Sequence, residues 1–154
     1  MVTVVLPTII LHVAPSHDTR WSDSSGLVQL SRLTAAAFLL LGLMLVVLTN
    51  LLFARIGKGT LAPWDATSQL VVAGPYRFVR NPMISGVAMI LAAESLFFGS
   101  VFMIVYTLLF LTINHLYLLF SEESGLEKRF GQAYRLYKAH VPRWIPRKTP
   151  WEAE

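Results

Sequence analysis

Two adjacent acids, Glu122 and Glu123, stand where a long apolar stretch gives way to a strongly basic one. Helix C-termini favour cations, so an acid pair at such a point calls for a cationic partner. The candidates are Arg77, Arg80 or Lys128 in a structural ion pair, or the ammonium group of a ligand. His115 precedes Glu122 by seven residues, nearly two turns of α-helix, which puts both on one side with His115 roughly 10 Å deeper. Polar groups inside a membrane are costly and point into a bundle or cavity. His115 and its neighbour Asn114 therefore line a cleft running inward from Glu122, or else make an interhelical hydrogen bond. In the run Tyr76-Arg77-Phe78-Val79-Arg80-Asn81-Pro82, Asn81 is a favoured N-cap and Pro82 a favoured first helical residue. Free N–H groups at that terminus, with Arg77 and Arg80 beside them, suit a carboxylate or phosphate. The blander alternative has both arginines snorkelling to lipid headgroups and Asn81 merely capping. Glu94 lies toward the opposite face and is given no catalytic part.

The elements that carry these residues are membrane helices. Of 154 residues, 55% are hydrophobic and 14% charged, where a soluble domain carries roughly 25% charged. Residues 33–54 (LTAAAFLLLGLMLVVLTNLLFA) hold no ionisable group and as a helix reach about 33 Å, enough for one crossing. Residues 83–120 would reach about 57 Å as one helix, nearly twice the hydrocarbon thickness, so they must fold back. Gly99-Ser100 is the natural break, giving an antiparallel hairpin of 83–98 and 101–120. Residues 2–14, interrupted by Pro7, make a partial, tilted or re-entrant span. That segment lacks the basic leader and small-residue cleavage site of a signal peptide. The absence of cysteine excludes disulfides, thiolate zinc sites and a Cys nucleophile, and no metal is expected.

Eleven of the thirteen basic residues fall either between the second and third spans or after residue 120. This asymmetry predicts a cytoplasmic loop and a cytoplasmic C-terminus, and it explains the net charge of +4 without nucleic acid. Trp21, Trp64, Trp144 and Trp151 sit where interfacial aromatics are expected. After the acid pair, Leu126, Phe130, Tyr134, Tyr137 and Val141 form one helical stripe with Lys128, Arg129, Arg135 and Lys138 off it. Such a helix either lies on anionic lipid or takes part in a site, and Pro142 and Pro146 end it. Gly57-Lys58-Gly59-Thr60 superficially resembles a phosphate loop but fails its spacing and has no preceding strand. The predicted fold is thus an all-α integral membrane protein. It has about four membrane helices, the third and fourth in a tight hairpin, and a cytoplasmic amphipathic C-terminal helix. A single membrane domain, 1–154, divides into 1–32, 33–54, 55–82, 83–120 and 121–154.

The combined pattern resembles a known family. G-x-G-T-x-x-P at 57–63, Leu70-Val71, GPYRFVRNPM at 74–83 with Gly86, the acids at 122–123, Leu126, Phe130-Gly131, Tyr134, Tyr137 and VPRWIP at 141–146 are similar to the isoprenylcysteine carboxyl methyltransferases. The likeness is closer to their small bacterial members, and the related phospholipid N-methyltransferases share the plan. It covers about residues 50–150. The resemblance implies a multi-pass membrane methyltransferase using S-adenosyl-L-methionine, in a bacterial inner membrane, with a cytoplasmic cofactor pocket and a lipophilic or small acceptor entering from the bilayer. By motif position, Gln69, Leu70 and Val71 would line the pocket, Tyr76 would touch the cofactor, and Asn81, Pro82 and Met83 would form a wall. Glu122, with Glu123, would take its ammonium group. Arg80 or the N–H groups after Asn81 suit its carboxylate. Methyl transfer is an in-line displacement governed by positioning. For an amine or thiol acceptor, His115 is the candidate base.

This chain departs from the family at three positions. Ile84 replaces an aromatic residue, Leu118 replaces an arginine that serves the substrate carboxylate in the eukaryotic enzymes, and Ser124 replaces a proline. Leu118 argues against a prenylcysteine carboxylate as substrate, Ile84 removes a ring contact and weakens cofactor binding, and Ser124 alters only the bend into the surface helix. Ile84 and Leu118 keep one rival open, a catalytically degenerate relative that binds a ligand or partner. Glu94 and His115 suggest another, a small transport or assembly subunit in which they carry protons and the acid pair is structural.

Overall fold

The computed structural model of the protein describes residues 2–14, 25–57 and 69–152. Lys58, Gly59, Thr60 and the rest of the loop to residue 68, and with them most of the glycine-rich motif, lie outside the described residues. Among the described residues every regular element is helical and there is no strand, as hydropathy predicted. The helices are α1 (Val5–Val13), α2 (Ser25–Leu52), α3 (Pro82–Phe98), α4 (Val101–Tyr117) and α5 (Glu123–His140). Two π turns, Phe53–Gly57 and Leu118–Glu122, follow α2 and α4, and a 3₁₀ turn, Gly74–Arg77, precedes α3.

Among the described residues two helical runs, Gly26–Ile56 and Val101–His140, are long and apolar enough to cross a membrane. The first begins well before residue 33, because Leu27, Val28 and Leu30 extend the apolar pattern past Arg32. Its outward residues are lipid-like in character, with Leu33 70% and Leu40 69% exposed. The hairpin break falls where expected, since α3 ends at Phe98 and Gly99 takes φ +64°, the left-handed conformation glycine adopts without cost. Pro82 opens α3 as predicted, its missing N–H lying among the donors that have no intrahelical acceptor. The segment containing Pro7 is a nine-residue helix, short of a full crossing.

The chain divides into two compact units. The first holds residues 1–44 and 86–114. Leu91 and Met103 are fully buried in it, and the hydroxyls of Ser95 and Thr107 meet at 3.2 Å between α3 and α4. Its tightest contact is Gly42, where a Cβ would stand 2.7 Å from the carbonyl oxygen of Gly86 and 2.8 Å from Ile90 Cγ1. Gly86 therefore packs against this chain's own α2. A backbone oxygen cannot swing aside, so Gly42→Ala must push α2 and α3 apart. The expected cost is about 1–3 kcal/mol, read as a lowered midpoint of denaturant unfolding in micelles. An unchanged midpoint would mean that the two helices can part freely.

The second unit holds residues 45–85 and 115–154. Its core is Tyr134, Tyr137 and Val141, packed with Leu70, Val72, Leu126, Phe130 and Trp151. The amphipathic stripe after the acid pair is thus covered by the chain's own loop and tail, so the anchoring role on lipid gives way to a structural one. No break separates α4 from this helix, because α4, its π turn and α5 run on without interruption. Ser124, standing where relatives have proline, donates its hydroxyl to the Ser121 carbonyl at 2.8 Å within that run. A kink comes later, at Gly131 with φ +55°, and α5 closes at His140 before extended Val141 and Pro142.

Candidate functional site

The candidate site residues that are functionally charged or aromatic lie within the second unit. The acid pair sits at its centre, on the π turn. There the Glu123 N–H reaches back five residues to the Leu118 carbonyl, so the turn takes in one more residue than an α-helix does. One extra residue rotates everything after it by about 100° relative to a regular α-helix. The single face expected to hold His115 and Glu122 is broken by that slip.

The two acids have opposite environments. Glu123 is 5% exposed and surrounded by cations. Its Oε1 accepts from Arg80 Nη1 at 2.9 Å and from Arg143 Nε at 2.7 Å, and its Oε2 meets Lys138 Nζ at 2.9 Å. Burial alone would raise its pKa, but hydrogen bonds from Lys138 and Arg143 and the charge of Arg80 outweigh that and hold it below the usual carboxylate range. Glu122 is half-buried and, among the described residues, has no ion pair and no hydrogen bond to its carboxylate. Burial, reinforced by the charge of Glu123, pushes its carboxyl above the ordinary range. One acid is therefore neutralised three times over, and its neighbour is left without a counter-ion among the described residues.

The segment before α3 packs against this pair. Tyr76, on the 3₁₀ turn, is buried with its ring edge-on to Phe53 at 5.5 Å, and its carbonyl accepts the Tyr137 hydroxyl at 2.8 Å. Burial first, then the negative potentials of Tyr137 and Glu122, raise its phenol so that it stays neutral. Val71 is buried, Leu70 packs on the aromatic core and Gln69 is exposed. The Asn81 carbonyl accepts both the N–H of Ser85 at 3.0 Å and its hydroxyl at 2.9 Å, which closes the first turn of α3. The Asn81 amide donates to the Arg143 carbonyl at 3.4 Å, Pro82 is fully buried and Met83 half-buried.

The two arginines flanking this segment differ. Arg77 neither snorkels nor waits for a ligand. Its Nε donates to the Trp151 carbonyl at 3.0 Å, its guanidinium pairs with Glu152, and its own carbonyl accepts the Trp151 N–H at 2.9 Å. Arg80 turns inward, with its side chain 10% exposed against Glu123, and its Nε is buried without an acceptor among the described residues.

Residues 141–152 complete the arrangement. The N–H of Arg80 donates to the Pro142 carbonyl at 2.9 Å, and the N–H of Arg147 to the Phe78 carbonyl at 3.0 Å. Trp144 Nε1–H donates to His115 Nδ1 at 3.0 Å. Lys138, Arg143 and Trp144 were not among the partners expected from sequence, where Trp144 read as an interfacial aromatic and the acid pair was matched to Arg77, Arg80 or Lys128. A signal was present in the motif VPRWIP, which puts an arginine and an indole directly after a helix end. Leu118, at the position of the arginine in relatives, is buried and brings no charge. Among the described residues, no group of His, Asp and Glu could hold a metal.

Comparison with known proteins gives one finding of consequence. The sequence profile described as phospholipid methyltransferase matches residues 30–133, which takes in most of α2, all of α3 and α4, the acid pair and the first part of α5. No curated protein and no solved structure matches the chain. The profile covers more than half of the chain, and the apolar helices suit a membrane. On these grounds the chain belongs to the phospholipid methyltransferase family, and with it to the membrane methyltransferases.

Proposed function

We propose that the protein transfers a methyl group from S-adenosyl-L-methionine to a lipophilic or small acceptor bearing a thiol, carboxyl, amine or hydroxyl group. The site and the C-terminus lie on the cytoplasmic side of a bacterial inner membrane, crossed several times. The observation that carries this reading is Glu122, a half-buried carboxylate with no counter-ion among the described residues, beside a Glu123 that has three. A carboxylate in that state favours an added cation. Arg80 Nε, a buried donor without an acceptor among the described residues, favours an added anion. An amino-acid end supplies both charges, so these residues fit the cofactor. Glu122 would receive its ammonium and Arg80, with the start of α3, its carboxylate. Tyr76, Asn81, Pro82 and Met83, with Gln69, Leu70 and Val71, would wall the pocket.

When bound, S-adenosyl-L-methionine supplies an electrophilic methyl group on a sulfonium. What remains for the protein is orientation and exclusion of water. Glu123 does the first indirectly: by binding Arg80 and Arg143 together it ties the start of α3 to the tail. The buried aromatic core around Tyr137 keeps water from one side. In a dry, pre-arranged cleft, positioning the acceptor in line can account for much of the barrier reduction.

The testing experiment is calorimetric titration of S-adenosylmethionine into the purified protein in nanodiscs, followed by incubation with methyl-tritiated cofactor and extraction of membrane lipids. Micromolar binding with label entering the lipid extract is the expected result. A folded protein that binds no cofactor would overturn the reading. Binding without transfer to any lipid, thiol or amine acceptor would identify a degenerate relative, the outcome that Ile84 and Leu118 would explain.

A further inference from the structure

We propose that Trp144 is a positioning residue that locks His115 in one neutral tautomer, so that His115 serves as a hydrogen-bond donor to an oxygen atom of the methyl acceptor rather than as a base. The indole N–H is a donor and cannot accept. Its 3.0 Å contact with His115 Nδ1 therefore requires a lone pair on Nδ1, which in a neutral imidazole puts the proton on Nε2. Protonating His115 would give both ring nitrogens an N–H and set two donors against each other across that contact. A base needs the free lone pair that Trp144 already occupies. Nε2–H is left without a protein partner among the described residues, while the neighbouring Asn114 amide is taken by the Phe110 carbonyl at 2.8 Å. The ring pair is held further by its packing, with centroids 6.1 Å apart and planes tilted by 36°.

The consequence concerns the substrate, and this part rests on the methyl-transfer reading. A neutral N–H donor directed at the attacking atom would engage the lone pair that must reach the methyl group. Its useful partner is instead a neighbouring acceptor oxygen, such as an ester carbonyl or a phosphodiester oxygen. Such a contact orients the acceptor and takes no proton from it. Trp144 lies in the tail beyond residue 133, where the profile match ends, within the VPRWIP motif.

The test is NMR of the full-length protein with ¹⁵N-labelled histidine in nanodiscs, at pH 7.5 and without cofactor, with His115→Gln used to assign the signal by its loss. The expected result is one protonated nitrogen, Nε2, and one unprotonated nitrogen, Nδ1, for His115, and a mixture of tautomers in Trp144→Phe. Wild-type His115 found as imidazolium, or protonated on Nδ1, would overturn the proposal whatever becomes of the variant. Two probes then separate donor from base. Dihexanoylphosphatidylethanolamine carries ester and phosphodiester oxygens, and decylamine carries an amine alone. The first is expected to shift the Nε2–H resonance and the second to leave it in place. An equal response to decylamine, or none to the lipid, would overturn the donor role. Because the tautomer is read without S-adenosylmethionine, failure of cofactor binding would leave that result standing.

Discussion

Glu123→Ala is expected to lower the stability of the protein by about 3–5 kcal/mol, the loss typical when one member of a buried ion pair is removed. Arg80 is 10% exposed and Arg143 18% exposed, so neither guanidinium can recover full hydration once the carboxylate is gone. The substitution also cuts the tie between the start of α3 and the tail. Lys138→Ala should cost under about 1 kcal/mol, because the lysine is 40% exposed and water replaces its partner. Denaturant unfolding in micelles checks both. A loss below about 1 kcal/mol for Glu123→Ala would show that the three cations are adequately solvated without it. The pH dependence has a definite sign. The folded carboxyl is held below its unfolded value, about 4.3 for a free glutamate, so its contribution is complete above that value and is lost as pH falls through the folded one. Wild type and Glu123→Gln should therefore differ at neutral pH and converge in acid.

Glu122→Gln should do the opposite, leaving the fold intact and weakening cofactor binding. The loss in S-adenosylmethionine affinity is expected to be at least tenfold, about 1.4 kcal/mol. In the free protein the charged carboxylate is penalised by burial and by Glu123, so neutral glutamine is at least as stable at pH 7.5. The linkage sign agrees. A carboxyl raised above its unfolded value favours the folded state at low pH, and that advantage disappears as pH rises from the unfolded to the folded value. Ammonium recognition needs the ionised form. Wild-type affinity should accordingly climb as pH is raised through the shifted range, above that of an ordinary glutamate, while Glu122→Gln gives a flat profile. Calorimetry at several pH values checks this. Equal affinity of variant and wild type would remove Glu122 from the cofactor site.

The helices were legible because the signals that make them are local. A run of apolar residues, a glycine able to take positive φ at Gly99 and a proline at the first turn of α3 act within a few positions of themselves. The family, too, could be read from motifs in order, and the profile match over residues 30–133 agrees with it. The basic asymmetry and the acid pair marked the end of the chain that matters, and the pair's need for cations followed from charge alone. The identity of those cations did not. Many lysines and arginines have equivalent chemistry, and choosing Arg80, Lys138 and Arg143 over Arg77 and Lys128 required the fold that brings residues 80 and 143 to residue 123.

The extended helix gave His115 and Glu122 one face in sequence, and a single π turn at Leu118–Glu122 removed it, a backbone choice that side-chain spacing does not encode. Arg77 shows the same division, since its charge was plain while its use as a clamp on Trp151 and Glu152 depended on where the tail returns. Sequence by itself determined that this protein is helical, apolar enough for a membrane and equipped with a methyltransferase's motif set. Tertiary structure decided which acid is structural and which is open, and in which tautomer His115 is held. Composition and periodicity act along the chain, whereas ion pairing and tautomer selection depend on distances of about 3 Å between residues far apart in it.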